Sequence, residues 1–286
     1  MKIKQFCLFF ILIFSALIFC GCVNPTLAIE PDLKRFKTEN ANQILKFNGK
    51  NRVMQYAWSG DPKKRPLLFV HGSPGSWDGW SHFLLDPELQ KNFQLIAVDR
   101  PGYGGSKPGT SVGSLEIQAA DVMEVLKINQ SGLPVILVGH SYGGPVIARA
   151  AMDFPNQILG LVFVASSVSP ELESTKWYQY LAAWWPLRLL VPSSLRVCNE
   201  EIMALKPELM LMMPFWKDIK AQSVLIQGEA DNLVPPENLD FLEKHLDHKT
   251  ILKVMRVKDM NHFVPWQHPE LIIEGINLLN ATKILE

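Results

Sequence analysis

Ser141 lies in Val135-Ile136-Leu137-Val138-Gly139-His140-Ser141-Tyr142-Gly143-Gly144, a Gly-x-Ser-x-Gly run directly behind four aliphatic residues. A serine hydroxyl is a weak nucleophile at neutral pH and attacks a carbonyl only when an adjacent base takes its proton. The chemistry available to this run is therefore nucleophilic. It requires an imidazole and an acid that holds the imidazole in the right tautomer. The four aliphatic residues read as a short buried strand, and Pro145 to Met152 read as a helix with Pro145 in its first turn. A strand that turns sharply into a helix lifts the middle residue onto a strained, exposed corner, a nucleophile elbow. The run Gly109-Thr110-Ser111-Val112-Gly113 has the same spacing but follows Lys107-Pro108, with no strand before it. Ser111 therefore reads as loop or helix-capping material.

Seven histidines compete for the role of base. His262, in Val257-Lys258-Asp259-Met260-Asn261-His262-Phe263, follows the last expected strand. It stands at the strand ends where open α/β sheets build their sites. His140 adjoins the nucleophile, but its side chain is expected to point away across the turn. His71 belongs to the loop after the third strand, His82, His245 and His248 to helices, and His268 to the start of the last helix. His245 and His248 have metal-like spacing without an accompanying cluster, so neither a metal nor a cofactor is implied. The acid should fall between Ser141 and His262 in chain order. Asp231, in Gln227-Gly228-Glu229-Ala230-Asp231-Asn232, follows a strand and fits, with Glu229 a near rival and Asp259 a weaker one. Asp99 precedes Ser141 and is expected to brace the Arg100-Pro101-Gly102 turn. Donors for a developing oxyanion are each commonly worth about 3 kcal/mol. The backbone N–H of Tyr142 is one candidate, and that of Ser73, in His71-Gly72-Ser73-Pro74-Gly75, is the other.

Together with Asp99-Arg100-Pro101-Gly102-Tyr103-Gly104, these runs resemble the α/β-hydrolase superfamily from Val53 to the C-terminus. The resemblance implies an α/β fold with a mostly parallel eight-stranded sheet, helices on both faces and a helical lid after the sixth strand. It also implies a Ser141, Asp231, His262 triad. Ser at 141, in place of Asp, speaks against the epoxide-hydrolase and haloalkane-dehalogenase branches. Ser73 stands where members with proline-iminopeptidase character usually have Gly.

The elements that must position these residues are legible as alternating apolar strands and helical stretches from Leu67 onward. They are preceded by a hairpin around Asn48-Gly49. The alternation stops between Ser169 and Ile219, a stretch rich in Trp, Tyr and Met and interrupted by Pro186, Pro192, Pro207 and Pro214. It reads as a lid of short helices, with most of its aromatics expected to bury and a minority to face a pocket for an apolar substrate group. Domain organisation then runs as a targeting segment (1–22), a tether (23–42), the first part of the core (43–168), the lid (169–219) and the second part of the core (220–286).

The targeting segment has Lys2 and Lys4 before an apolar stretch, Phe6 to Phe19, that is short for a membrane span. Its end, Phe19-Cys20-Gly21-Cys22, resembles a bacterial lipoprotein signal with Cys22 as the lipidated residue. The alternatives are an ordinary secretory signal cut near Ala28 or an uncleaved anchor. Membrane association through this end and an exported location, in the cell envelope, periplasm or medium, are the expectations. With three of four cysteines here, Cys198 alone is left in the body and no disulfide framework is available. The chain's 28 basic and 28 acidic residues balance, so nothing points to nucleic acid. The chemistry expected is cleavage of a small carboxylic ester with a hydrophobic group, by a carboxylesterase or lipase-like enzyme. The alternatives are hydrolysis of an amide, thioester or C–C bond, or a non-catalytic binding protein on the same scaffold.

Overall fold

The computed structural model describes residues 26–40 and 43–282. The expected targeting segment, Cys22 included, lies outside the described residues. In chain order the elements are α1 (Thr26–Glu39), β1 (Ile44–Asn48), β2 (Val53–Gly60), β3 (Arg65–Val70), α2 (Ser81–Leu84), α3 (Pro87–Asn92), β4 (Phe93–Val98) and α4 (Leu115–Met123). They continue with β5 (Val135–His140), α5 (Gly143–Asp153), β6 (Ile158–Val164), α6 (Trp177–Ala183), α7 (Ser193–Met212) and β7 (Gln222–Gly228). The last four are α8 (Glu237–His245), β8 (Ile251–Val257), α9 (Val264–Gln267) and α10 (Pro269–Ala281).

The eight strands form one sheet in the order β1-β2-β4-β3-β5-β6-β7-β8. β1 and β2 pair antiparallel, as do β2 and β4, and every later pairing is parallel. β4 and β5 are buried along their whole length. Parallel strands covered by helices on both faces must be apolar throughout, which is why they read as unbroken hydrophobic runs. The expected hairpin is present, and Gly49 N–H to the Arg52 carbonyl (2.9 Å) closes its turn.

Two cores result. On one face α4, α5 and α8 supply Leu115, Val122, Val146, Ile147 and Leu239 against the sheet. Trp216, from the stretch after α7, joins the same core. On the other face α2 and α10 supply Phe83, Leu84, Ile272, Ile276 and Leu279.

Two expectations need correction. Much of the expected tether is α1, whose Phe36 is fully buried with its ring centroid 5.3 Å from that of Trp77. Pro25, Pro31 and the charges suggested a tether, but Phe36 and the partly buried Leu33 pack this helix onto the body. The lid between β6 and β7 is helical, as expected, yet most of its aromatics do not bury. Among Trp177, Tyr180, Trp184, Trp185, Phe215 and Trp216, only Trp216 is buried. The inward side of α6 is instead carried by Gln179 and Ala182.

Candidate active site

The end of β5 and the start of α5 make the corner that the sequence calls for. Ser141 has φ 56°, a left-handed backbone that a serine adopts only under constraint from its surroundings. Its N–H donates to the Val164 carbonyl (3.0 Å), and its own carbonyl accepts from Gly144 N–H (2.9 Å). The glycines are steric necessities. A Cβ on Gly139 would meet the Gly143 carbonyl oxygen at 2.6 Å, and one on Gly143 would meet the Val70 carbonyl oxygen at 2.2 Å.

His262 and Asp231 come together at the ends of β8 and β7. His262 Nδ1 lies 2.8 Å from Asp231 Oδ2, and both residues are buried. An ionised carboxylate can only accept, so the proton sits on Nδ1 and leaves Nε2 with its lone pair. Asp231 Oδ1 takes the N–H groups of Leu233 (2.9 Å) and Val234 (2.8 Å). Burial alone would raise the Asp231 pKa. The bond from His262 and the two backbone donors more than offset it and hold the carboxyl below its ordinary value. The loops carrying the pair are stitched together by Ala230 N–H to the Met260 carbonyl (3.0 Å) and Glu229 N–H to the Val257 carbonyl (3.0 Å). The rival acids Glu229 and Asp259 are both exposed. His140, next to Ser141 in the chain, ties the corner to the base: its Nε2–H donates to the His262 carbonyl (2.9 Å), and the two rings are 4.7 Å apart. Burial first, then the neighbouring His262, pushes the His140 pKa down to about 3, so this imidazole stays neutral.

The third component is the loop after β3. A Cβ on Gly72 would fall 2.8 Å from Ser141 Cβ and 3.3 Å from its Oγ, so the loop passes directly against the candidate nucleophile. Beneath it lies Arg100, with no exposed side-chain surface. Its Nε donates to the His71 carbonyl (2.8 Å) and Nη2 to the Gly72 carbonyl (2.9 Å). A trans peptide points its C=O and the following N–H in opposite directions. Holding the Gly72 carbonyl down on the guanidinium therefore turns the Ser73 N–H to the other side of the loop. His71 completes the brace: Nδ1–H donates to its neighbour's carbonyl at Gly72 (2.7 Å), and Nε2 accepts the Arg100 N–H (2.9 Å). Burial, with the Arg100 charge adding to it, keeps His71 far below the ordinary histidine range.

What the sequence reading missed is the partner of Arg100. Glu201 of α7, also wholly buried, receives Arg100 Nη1 on Oε1 (2.7 Å). Its Oε2 accepts Ser73 Oγ–H (2.7 Å) and Tyr103 O–H (2.8 Å). Gln118 of α4 accepts from Arg100 Nη1 (2.6 Å) and donates to Glu201 Oε1 (2.9 Å). The guanidinium carbon lies 4.6 Å from the Tyr142 ring centroid. No local pattern announces this cluster, because its members lie on the loops after β3 and β4, on α4 and on α7.

Asp99 does brace the turn after β4, accepting Trp77 N–H (2.8 Å), Gly105 N–H (2.7 Å) and Gln55 Nε2–H (2.9 Å). Burial lifts its pKa to about 6 against those donors. Ser111 sits in a loop and bonds Glu200 of α7. Among the described residues no group of three or more His, Cys, Asp or Glu is placed to hold a metal ion.

Comparison with known proteins agrees with the fold. A family model described as alpha/beta hydrolase fold matches residues 65–190. The uncharacterized hydrolase YugF of Bacillus subtilis is 23% identical over 83% of this chain and 98% of its own length. The dihydrolipoyllysine-residue acetyltransferase component of the acetoin cleaving system of Cupriavidus necator is 36% identical over 100 residues. That match takes in 35% of this chain and only 26% of the relative. Among solved structures, one titled as a membrane phospholipase A, a novel bacterial virulence factor, superposes with a TM-score of 0.63 at 19% identity, covering 98% of this chain and 100% of that one. At that identity the likeness is one of fold.

Proposed function

Because the chain belongs to the α/β-hydrolase superfamily, we propose that it is an exported serine hydrolase of carboxylic esters that carry an apolar group. Ser141 Oγ attacks the ester carbonyl as His262 Nε2 takes its proton, and Asp231 steadies the imidazolium. The oxygen that becomes negative is received by the N–H groups of Tyr142 and Ser73. The proton passes from His262 to the departing alcohol, leaving an acyl group on Ser141. Water, deprotonated by the same imidazole, then releases the acid and restores the hydroxyl. The observation that carries this reading is the His262–Asp231 pair, tied through His140 to the strained Ser141 corner.

The N-terminal 22 residues fit a targeting signal, with Cys22 the proposed site of lipidation and the cell envelope the proposed location. Among the described residues no helix is long and apolar enough to cross a membrane.

The test is a panel of p-nitrophenyl esters of increasing acyl length, run beside matched amide, thioester and C–C substrates. Esters should turn over fastest, with longer acyl chains preferred, and Ser141→Ala should lose about 10⁴-fold or more. Faster turnover of an amide, thioester or C–C bond would move the reaction to that bond. No turnover in either protein would leave a binding scaffold.

A further inference from the structure

The lid wears its large apolar side chains on the outside. Trp177 is 70% exposed, Tyr180 59%, Trp184 60%, Trp185 66%, Leu189 56% and Leu190 53%. They belong to one short segment, because Arg188 N–H to the Trp184 carbonyl (2.9 Å) and Leu189 N–H to the Pro186 carbonyl (3.1 Å) set residues 187–190 in a turn directly after α6. Buried Val197, Leu205 and Leu209 fix the lid beneath them, so packing has not simply failed here. Exposed apolar patches of this kind mark sites of protein or membrane contact.

The charges around the patch select between those partners. From Ser174 to Asn199 there is no Asp or Glu, while Lys176, Arg188 and Arg196 fall in the same stretch. Exposed Lys107 adds a fourth cation, on the loop whose Gly109 carbonyl meets Arg196 (3.4 Å). The nearest acids are already engaged: Glu200 by Arg188 and Ser111, Glu173 by Ser167. Tryptophan and tyrosine, apolar in body and polar at one edge, favour the boundary between headgroups and acyl chains. With Arg188 paired to Glu200, Lys176, Arg196 and Lys107 leave a cationic excess around the patch, which favours phosphate headgroups.

The start of the chain points the same way. α1 packs on Trp77, just beyond the Ser73 loop that Glu201 of the lid touches. The apolar stretch Phe6 to Phe19 precedes α1 in sequence.

We propose that the α6 face and the turn behind it dock on the surface of a phospholipid bilayer, with Trp184, Trp185, Leu189 and Leu190 at the headgroup boundary. This surface goes beyond the chemistry assigned to Ser141, and Ser141→Ala should dock as the parent does. The full chain offers a convenient reporter: all eight tryptophans lie at or after Trp58, none in the apolar N-terminal stretch. The full-length protein is reconstituted in vesicles of equal parts phosphatidylcholine and phosphatidylglycerol, with and without bromine on the phosphatidylcholine acyl chains. Brominated lipid should quench tryptophan emission, and Trp177→Phe/Trp184→Phe/Trp185→Phe should remove most of that quenching. Three results would overturn the proposal. One is unquenched emission, whether or not the protein floats with the vesicles. Another is quenching that survives the triple substitution. The last is shielding of these tryptophans from acrylamide without lipid, which assigns the patch to a second copy at doubled mass or to the chain's own first residues at monomer mass.

Discussion

At the scale of single residues, the site depends on which nitrogen of His262 carries the proton. Asp231 fixes it on Nδ1 through the 2.8 Å contact. Asp231→Asn keeps the shape but can present N–H to the ring and stabilise the wrong tautomer. It should lower kcat by about 10⁴ with little change in KM, measured on the best ester of the panel. A loss under about tenfold would remove Asp231 from the proposed triad. Asp99 makes a second residue-level prediction. Its folded pKa of about 6 stands above the ordinary carboxylate value of 3.8. Between those values the folded chain holds a proton that the unfolded chain has released. Stability contributed by this group therefore falls as pH rises from about 4 to about 6, by up to about 3 kcal/mol. Urea unfolding should show the parent losing ground to Asp99→Asn across that window and levelling above it. A difference that is flat or rises would contradict the assignment.

The Ser141 corner and the His262–Asp231 pair were legible in sequence because each residue follows a recognisable strand, in the order the elbow predicts. Arg100 was seen only as part of a turn, and Glu201 was not seen at all. A buried ion pair is made by the approach of two elements, which spacing along the chain does not encode.

At the scale of elements, α7 matters more than its place in a lid suggests. Glu201 joins the lid to the Ser73 loop through Arg100, so α7 cannot leave without stranding a guanidinium that has no exposed surface. Glu201→Ala should cost about 3–5 kcal/mol, read from urea or thermal unfolding, with Glu201→Gln milder because it keeps acceptor and donor atoms near Arg100. An unaffected Glu201→Ala would mean that the lid is held by its apolar contacts alone. Strands β3 to β7 were readable as elements because both their faces are covered. The helices of the lid were readable as helices, but the direction of their apolar side chains was not. Periodicity marks a stripe without saying whether the stripe meets the body or the outside. On α6 the inward side is held by Ala182, Gln179 and a bond from Asn199 to the Gln179 carbonyl (3.0 Å), so the large residues are left outward. α1 misled for the opposite reason: its charges and Pro31 hid the contacts of Phe36 and Leu33 with the body.

At the scale of the whole molecule, the sheet gathers residues far apart in the chain to the C-terminal ends of β3, β5, β7 and β8. The two cores on its faces keep those ends in register. The same end carries the lid, and the lid carries the exposed tryptophans. A bilayer docked there would lie close to the loops that hold Ser73, Ser141 and His262, which fits a substrate with an apolar group. Balanced charge over the whole chain conceals this polarity, since the 26 residues from Ser174 to Asn199 are cationic while the total is zero.

The central claim is that Ser141 becomes acylated and that His262 makes it able to. Rapid acid quench of the enzyme with a p-nitrophenyl ester, followed by peptide mass spectrometry, tests it most directly. The account predicts an acyl adduct on the peptide containing Ser141, formed with the burst of nitrophenol and absent in Ser141→Ala and His262→Ala. Turnover with no adduct, or an adduct on Ser73, Ser111 or Cys198 instead, would contradict it.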